Sequence, residues 1–201
     1  MHPSAATTSP LRLVVVEDDE TVRLGLVETL ERAFGHRVVG QAANGLEMLD
    51  VLGRVEADVV VFDIHLPQLN GIDALRRFLE TRPIAAVALT GDRDPSQLRK
   101  AVHEGIHGYL IKPVDPYQLG PAIEVARARF EDIRRLTDEN DKLQKSLENR
   151  KTIERAKGVL MRRHRWTEAD AFRRLQRAAM NKRTTMVDLA RQVLDGKELD
   201  L

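Results

Sequence analysis

Four acidic residues, Glu17, Asp18, Asp19 and Glu20, directly follow the apolar run Leu13 to Val16, and a second apolar run, Val59 to Phe62, ends in a single carboxylate, Asp63. A carboxylate at the end of a buried strand serves a site, because a core excludes unpaired charge. In a parallel sheet the carboxyl ends of neighbouring strands open on the crevice where ligands bind, so Glu17, Asp18 and Asp63 can meet around one hard cation. That arrangement suits phosphoryl transfer to an aspartate. Asp63 is ionised at neutral pH and needs no general base to attack phosphorus. Two later strand ends carry Thr90 before Gly91 and Lys112 before Pro113, a hydroxyl and an ammonium able to bind phosphoryl oxygens. Mg²⁺ prefers octahedral oxygen ligands; its set here is Glu17, Asp18, Asp63 and the main-chain carbonyl of His65. Asp19 and Glu20 read instead as residues answering a helix dipole.

Other uses of such a sheet fail on particular residues. A flavin phosphate needs neutral donors after the first strand, where four carboxylates would repel it. A haloacid dehalogenase-type phosphatase needs a second acid two residues after its aspartate, and His65 stands there. A nucleoside triphosphatase needs a glycine-rich loop ending in Gly-Lys-Ser or Gly-Lys-Thr, which is absent. His36, His103 and His107 have no spacing that suggests a metal.

The elements that position these groups alternate strand and helix, the pattern of a parallel sheet. Strands are predicted at Leu11–Val16, Arg37–Ala42, Val59–Phe62, Ala85–Leu89 and Gly108–Ile111, with helix caps at Asn44 (Glu47 three residues on), at Asp94 before Pro95 and at Asp115 before Pro116. Five strands and five helices fill residues 11 to about 130, an α/β, doubly wound, five-stranded parallel sheet of flavodoxin-like type.

With VVVEDDE at the first strand, VVVFDIHLPQLNG at the third, LTG at the fourth and YLIKP at the fifth, residues 11–130 resemble the receiver domain of two-component response regulators. The resemblance implies that a histidine kinase phosphorylates Asp63, that Thr90 and Lys112 bind the phosphoryl group, and that Tyr109 is an aromatic switch packing inward on activation. It implies Mg²⁺ as cofactor and phosphotransfer without turnover catalysis. The chain departs from the family at Glu17, where aspartate is usual, and carries His65 at a position that tunes autodephosphorylation.

Composition leaves room for more than this domain. A chain of 201 residues accommodates a second, smaller module. Residues 1–149 carry 18 Lys and Arg against 24 Asp and Glu, whereas residues 150–201 carry 14 against 7. The two ends suit different partners, and the basic end suits a polyanion. Residues 1–10 read as a disordered tail, not a signal peptide. With no cysteine and no apolar run near the roughly 20 residues that span a bilayer, the expectation is a cytoplasmic protein without membrane contact.

Beyond Pro116 one long helix is predicted. Ile133, Leu136, Asn140, Leu143 and Leu147 step by three and four residues along it, a coiled-coil seam with Asn140 at a core position, expected over 131–149. The seam either pairs two chains or packs on the chain's own C-terminal helices. Residues 150–201 read as a three-helix bundle: the end of the long helix, a second helix from Thr167 and a third from Thr185. Its core would join Ile153, Ala156 and Leu160 to Ala171, Phe172, Leu175 and Ala179, closed by Val187, Leu189, Ala190 and Val193. Arg150, Lys157, Arg163, Arg177, Lys182, Arg183 and Arg191 remain as surface candidates for phosphate contacts.

The stretch RKTIERAKGVLMRRHRWTEADAFRRLQRAAMNKRTTMVDLAR resembles the ANTAR domain, the RNA-binding antitermination module of some response regulators. The resemblance implies a dimer that binds paired RNA hairpins in a nascent transcript. Trp166 reads either as a stacking platform for bases or as a cap on the bundle. The combined expectation is a phosphorylation-controlled RNA-binding antiterminator, homodimeric when phosphorylated. The alternatives are a DNA-binding regulator and a protein-binding signalling adaptor. A seven-residue polar stretch, Ala179 to Thr185, is long for the tight turn of a helix-turn-helix.

Overall fold

The computed structural model describes residues 9–91 and 105–197. Residues 1–8 of the expected tail, the helix expected to start at Asp94, and His103 lie outside the described residues. The chain divides into two compact units, Met1–Arg134 and Arg135–Leu201.

In the first unit β1 (Arg12–Val16), β2 (Arg37–Ala42), β3 (Val59–Asp63), β4 (Ala85–Thr90) and β5 (Gly108–Ile111) form one parallel sheet in the order β2-β1-β3-β4-β5. Every strand boundary falls within one residue of the sequence reading. Around the sheet lie α1 (Glu20–Glu28), continued by a π-helical turn at Thr29–Ala33, then α2 (Gly45–Arg54), α3 (Gly71–Leu79) and the start of α4 (Pro116–His164). Helices on both faces explain why the strands are apolar at nearly every position. Val14, Val16, Val60, Phe62, Ala86 and Ala88 pack with Met48 and Leu52 of α2 and with Ala74, Leu75 and Phe78 of α3. The alternating residues Leu13, Val15, Val59, Val61, Val87 and Leu89 pack with Leu26, Leu30 and, from α4, Leu119, Ile123 and Ala126. Because the side-chain period is two, a one-residue slip would exchange the two cores, so the register is fixed.

Local chemistry sets where the helices begin. Asp19 Oδ1 accepts from the N–H groups of Thr21 and Val22 (2.8 and 3.1 Å), which caps α1. Asn44 caps α2 by accepting from Glu47 N, and Glu47 Oε2 reaches back to accept from Ala43 N, one residue before the cap. Asn70, which the sequence reading did not single out, caps α3 by accepting from Ile72 N. The glycine that follows it has a steric reason: a Cβ at Gly71 would run into the main-chain oxygen of Asp63 and the Phe62 ring.

The second unit contains the C-terminal part of α4, α5 (Glu168–Asn181) and α6 (Met186–Leu194). Ala156 and Leu160 meet Ala171, Leu175, Ala178 and Ala179, closed by Leu189, Ala190 and Val193. Thr167 and Thr185 cap α5 and α6, each accepting from the N–H of the Asp three residues on. Two expected core residues are displaced: Phe172 is exposed and Val187 only half-buried. The apolar stripe of α5 runs 171, 175, 178, 179, and a residue at 172 lies about 100° away from its first member. The turn to α6 is also shorter than expected. Helix α5 continues to Asn181, so only Lys182–Thr185 connect it to α6, and turn length does not argue against a helix-turn-helix.

That turn is a Schellman cap: Arg183 N donates to Met180 O (3.2 Å) and Thr184 N to Ala179 O (3.0 Å). Arg183 holds the left-handed position with φ +49°, and Arg165, between α4 and α5, has φ +56°. Glycine is the ordinary residue at such positions. Along α4 the seam residues Ile133, Leu136, Leu143 and Leu147 are 56–66% exposed, and Asn140 is exposed with them. The seam is therefore not buried on the chain's own C-terminal helices.

His107 links the sheet to α4. Its N–H donates to Ala86 O (2.9 Å), its Nδ1 accepts from Ala86 N (3.2 Å), and its ring meets the face of Phe130 edge-on at 5.2 Å. Burial, aided by Arg129, holds its pKa below the ordinary histidine value, and burial does the same for His36. Both imidazoles therefore take up a proton on unfolding at mildly acidic pH. Their contribution is complete above about pH 6.5, the unfolded value, and is lost as pH falls from there toward the folded values. We expect the urea midpoint, followed by circular dichroism, to fall between pH 7 and 5.5. His107→Gln should remove up to about 1.4 kcal/mol per pH unit of that slope; an unchanged slope would rule out His107 as a source.

Candidate functional site

The C-terminal edge of the sheet gathers the acidic residues. Glu17 N donates to Ala42 O (3.1 Å), continuing the β1–β2 pairing by one residue, and Arg23 Nη1 donates to Glu17 O (2.7 Å). The Glu17 side chain is thereby turned inward and is 1% exposed, while Asp18 is exposed. Asp63 ends β3 and is 6% exposed. Its Oδ1 accepts from His65 N (3.0 Å) and its Oδ2 from Lys112 Nζ (2.5 Å).

Lys112 serves two carboxylates at once. Its Nζ lies 2.8 Å from Glu17 Oε1 and 2.7 Å from Oε2, but no donor is aligned on Oε2, a buried oxygen without a hydrogen bond. Burial alone would lower the Lys112 pKa; hydrogen bonds to Asp63 and Glu17 outweigh it and hold the ammonium above its ordinary value. Glu17 is also shifted upward, by burial first and by the charge of Asp63, against the pull of Lys112. An acid in an ion pair ordinarily shifts down. The upward shift here reflects first the removal of Glu17 from water, which an ammonium shared with Asp63 does not offset; one cation faces two buried carboxylates, and the site is short of positive charge.

A divalent cation answers that shortage. Oxygens of Glu17, Asp18 and Asp63 lie within 4.8 Å of one another, close to the roughly 4.2 Å that separates opposite ligands of an octahedral Mg²⁺. The donor set is hard oxygen, and Glu17 Oε2 is an orphan acceptor beside it, so these residues fit Mg²⁺. Thr90 is buried at the end of β4, where its carbonyl accepts from Lys112 N (2.7 Å). Glu17, Asp18, Asp63 and Lys112 are thus brought together, with Thr90 on the adjoining strand end. The His65 N–H touches Asp63, but the residue itself is exposed. Tyr109, 41% exposed on β5, stands outside the cluster. The sequence reading missed Arg23, whose only signal was its position one turn into the helix after Glu17.

In the second unit Arg150, Arg163, Arg177, Lys182, Arg183 and Arg191 are exposed as expected. Lys157 is not a surface cation. Its side chain is 7% exposed and its Nζ is held by Glu154 (2.9 Å) and Glu168 (2.8 Å), 5.8 Å above the Phe172 ring. Two carboxylates neutralise it, so it ties α4 to α5 instead of meeting phosphate. Trp166 packs against the bundle core with Arg174 Cζ 4.4 Å from its ring centre and the His164 ring stacked at 4.3 Å. It caps the bundle.

Removing Lys112 leaves two buried carboxylates facing each other. We expect Lys112→Met to lower unfolding stability by about 3 kcal/mol without divalent cation, and millimolar Mg²⁺ to restore most of the loss in urea titrations. Urea midpoints of both proteins that do not move with Mg²⁺ would show that the cation does not bind this cluster.

Known proteins place both units. The family model for the response regulator receiver domain matches residues 13–124 and that for the ANTAR domain matches 141–194. The transcriptional regulatory protein PdtaR of Mycobacterium tuberculosis is 39% identical over 92% of this chain and 90% of its own length. Among solved structures, a LuxR-family two-component response regulator from Aurantimonas sp. SI85-9A1 is 32% identical with a TM-score of 0.56, over 60% of this chain and 86% of that one. The receiver domain of an HD domain-containing protein from Pseudomonas fluorescens Pf-5 is 28% identical with a TM-score of 0.55, over 62% and 99%. The chain belongs to the response regulators, as one that joins an N-terminal receiver domain to a C-terminal ANTAR domain.

Proposed function

We propose that this response regulator is a transcription antiterminator switched by phosphorylation of Asp63, which a histidine kinase supplies. The observation that carries the reading is the position of Asp63: a buried carboxylate at the end of β3, one oxygen fixed by His65 N and the other by Lys112. An Asp63 oxygen attacks phosphorus as the bond from phosphorus to the histidine nitrogen of the kinase breaks, so the phosphoryl group moves without any proton transfer from Asp63. Glu17, Asp18, Asp63 and the carbonyl of His65 would hold Mg²⁺, which would supply positive charge to the transferring group. Lys112 exchanges its contact with the Asp63 carboxylate for one with a phosphoryl oxygen, and the Thr90 hydroxyl turns to another. Tyr109 leaves its exposed position and packs inward, which shifts the receiver toward the state that pairs with a second copy.

The exposed seam on α4 is the pairing surface of the proposed dimer. With Ile133, Asn140 and Leu147 at one core position and Leu136 and Leu143 at the other, a parallel pair sets Asn140 against Asn140 and satisfies both amides. An antiparallel pair would set it against leucine. The basic C-terminal bundles then grip RNA hairpins in a nascent transcript. The four-residue turn between α5 and α6 keeps a DNA-binding reading in view, and the same assay separates the two.

Full-length protein with Mg²⁺, at fixed salt, is titrated into labelled two-hairpin RNA and into duplex DNA, with and without beryllofluoride as phosphoryl mimic. We expect RNA affinity to rise at least about tenfold with the mimic and the rise to vanish in Asp63→Ala; a preference for duplex DNA would select the other reading. Light scattering in beryllofluoride should show a dimer that Leu143→Lys converts to monomer. A dimer that survives this substitution would remove the seam from the mechanism.

A further inference from the structure

The end of α4 and the turn that follows it, Arg162-Arg163-His164-Arg165-Trp166, have features that bundle packing does not require. Arg162, Arg163 and Arg165 are exposed, and among the described residues none of them pairs with a carboxylate. Elsewhere in this unit Lys157, Arg173 and Arg191 do. Arg165 occupies a left-handed backbone position, φ +56°, that disfavours any side chain. Such an outlier marks a place where something other than stability is being served. The third feature is aromatic. The half-buried Trp166 is anchored in the core and contacted by the Arg174 guanidinium, and the exposed His164 ring lies on it at 4.3 Å with 17° between planes.

We propose that the His164 ring, backed by Trp166 and Arg174, is a stacking platform for one unpaired base of an RNA hairpin loop, with Arg162, Arg163 and Arg165 holding the flanking phosphates. The inference rests on the RNA-binding reading above and names where, and through which chemistry, a loop is recognised. A ring already stacked on a fixed indole has little freedom left to lose when a base is added to it. Bases inside a duplex present no free face to such a platform, whereas unpaired loop bases do. Arginines beside it supply the cations that a kinked loop backbone needs. Trp166 is therefore the support of the platform and not its contact surface, which reconciles its packing in the bundle with a part in recognition.

Trp166 is the chain's only tryptophan, so its emission reports on this turn. Full-length protein with Mg²⁺ and beryllofluoride is titrated with a hairpin RNA pool of fixed stem and randomised loop, with the same stem as a blunt duplex, and with the corresponding DNA hairpins; emission and anisotropy are read together. We expect loop RNA to change Trp166 emission in parallel with binding and the blunt duplex to leave it unaltered. His164→Ala should weaken loop binding about tenfold or more, and His164→Phe, which keeps a ring but no titratable nitrogen, should restore it to within about twofold. His164 is exposed at a helix end, so unchanged melting of each variant confirms that folding is not the cause. Loop binding by His164→Ala equal to that of the unsubstituted protein removes the platform and leaves the RNA reading standing. So does a saturating anisotropy change with no change in emission. Equal binding of the DNA hairpins overturns the RNA preference, and no binding of any RNA overturns the RNA reading and the platform with it.

Discussion

One ammonium against three carboxylates is the constraint around which the receiver unit is built. Placing Glu17 and Asp63 at adjacent strand ends, both almost wholly removed from water, is unfavourable unless positive charge is brought to them. Lys112 supplies part of it, reaching across from the end of β5. The order of strands in the sheet follows from this need as much as from packing: β1 and β3 must be neighbours, and β4 and β5 must carry a hydroxyl and an ammonium to the same edge. The remaining shortage of positive charge suits the site to a divalent cation. Stability and responsiveness here have one electrostatic origin.

Much of this was legible in the amino-acid order because it depends on short segments. Four of the five strands, β1, β3, β4 and β5, are short, largely apolar runs that end in or lead directly to a residue of the site, so Val59–Phe62 announces both a buried strand and Asp63 as its last residue. The caps at Asn44, Thr167 and Thr185 were legible for the same reason, since each satisfies backbone donors only three residues away. What escaped depends on partners remote in sequence. Lys157 looked like surface charge because Glu154, three residues before it, is an ordinary exposed-helix pairing; the second carboxylate, Glu168, arrives from another helix. Phe172 looked like core because it is aromatic, yet the angular position of residue 172 on α5 decides against it. The extent of α5 was misjudged because Asn181 and Lys182 are poor signals of either helix or turn.

The helix from Pro116 to His164 is assembled from three kinds of surface in succession. Leu119, Ile123 and Ala126 belong to the core beneath the sheet, the stretch from Ile133 to Leu147 is exposed, and Ala156 and Leu160 belong to the core of the bundle. Its apolar residues thus serve three different partners, which is why no single stripe runs along it. The charge of the chain is also divided along its length, net acidic over residues 1–149 and net basic over 150–201.

Arg165 and Arg183 place long cationic side chains where the backbone would favour glycine. Each such position forgoes on the order of 1 kcal/mol, in a unit whose core is built from alanines and a few leucines. The bundle is therefore less stable than its own topology permits, by an amount that matters for so small a module. Selection for thermal endurance alone would drift both turns toward glycine. Their retention as arginine would then be a marker, readable in relatives of this chain, of which copies still make demands on those two corners of the bundle and which persist only as a folded scaffold.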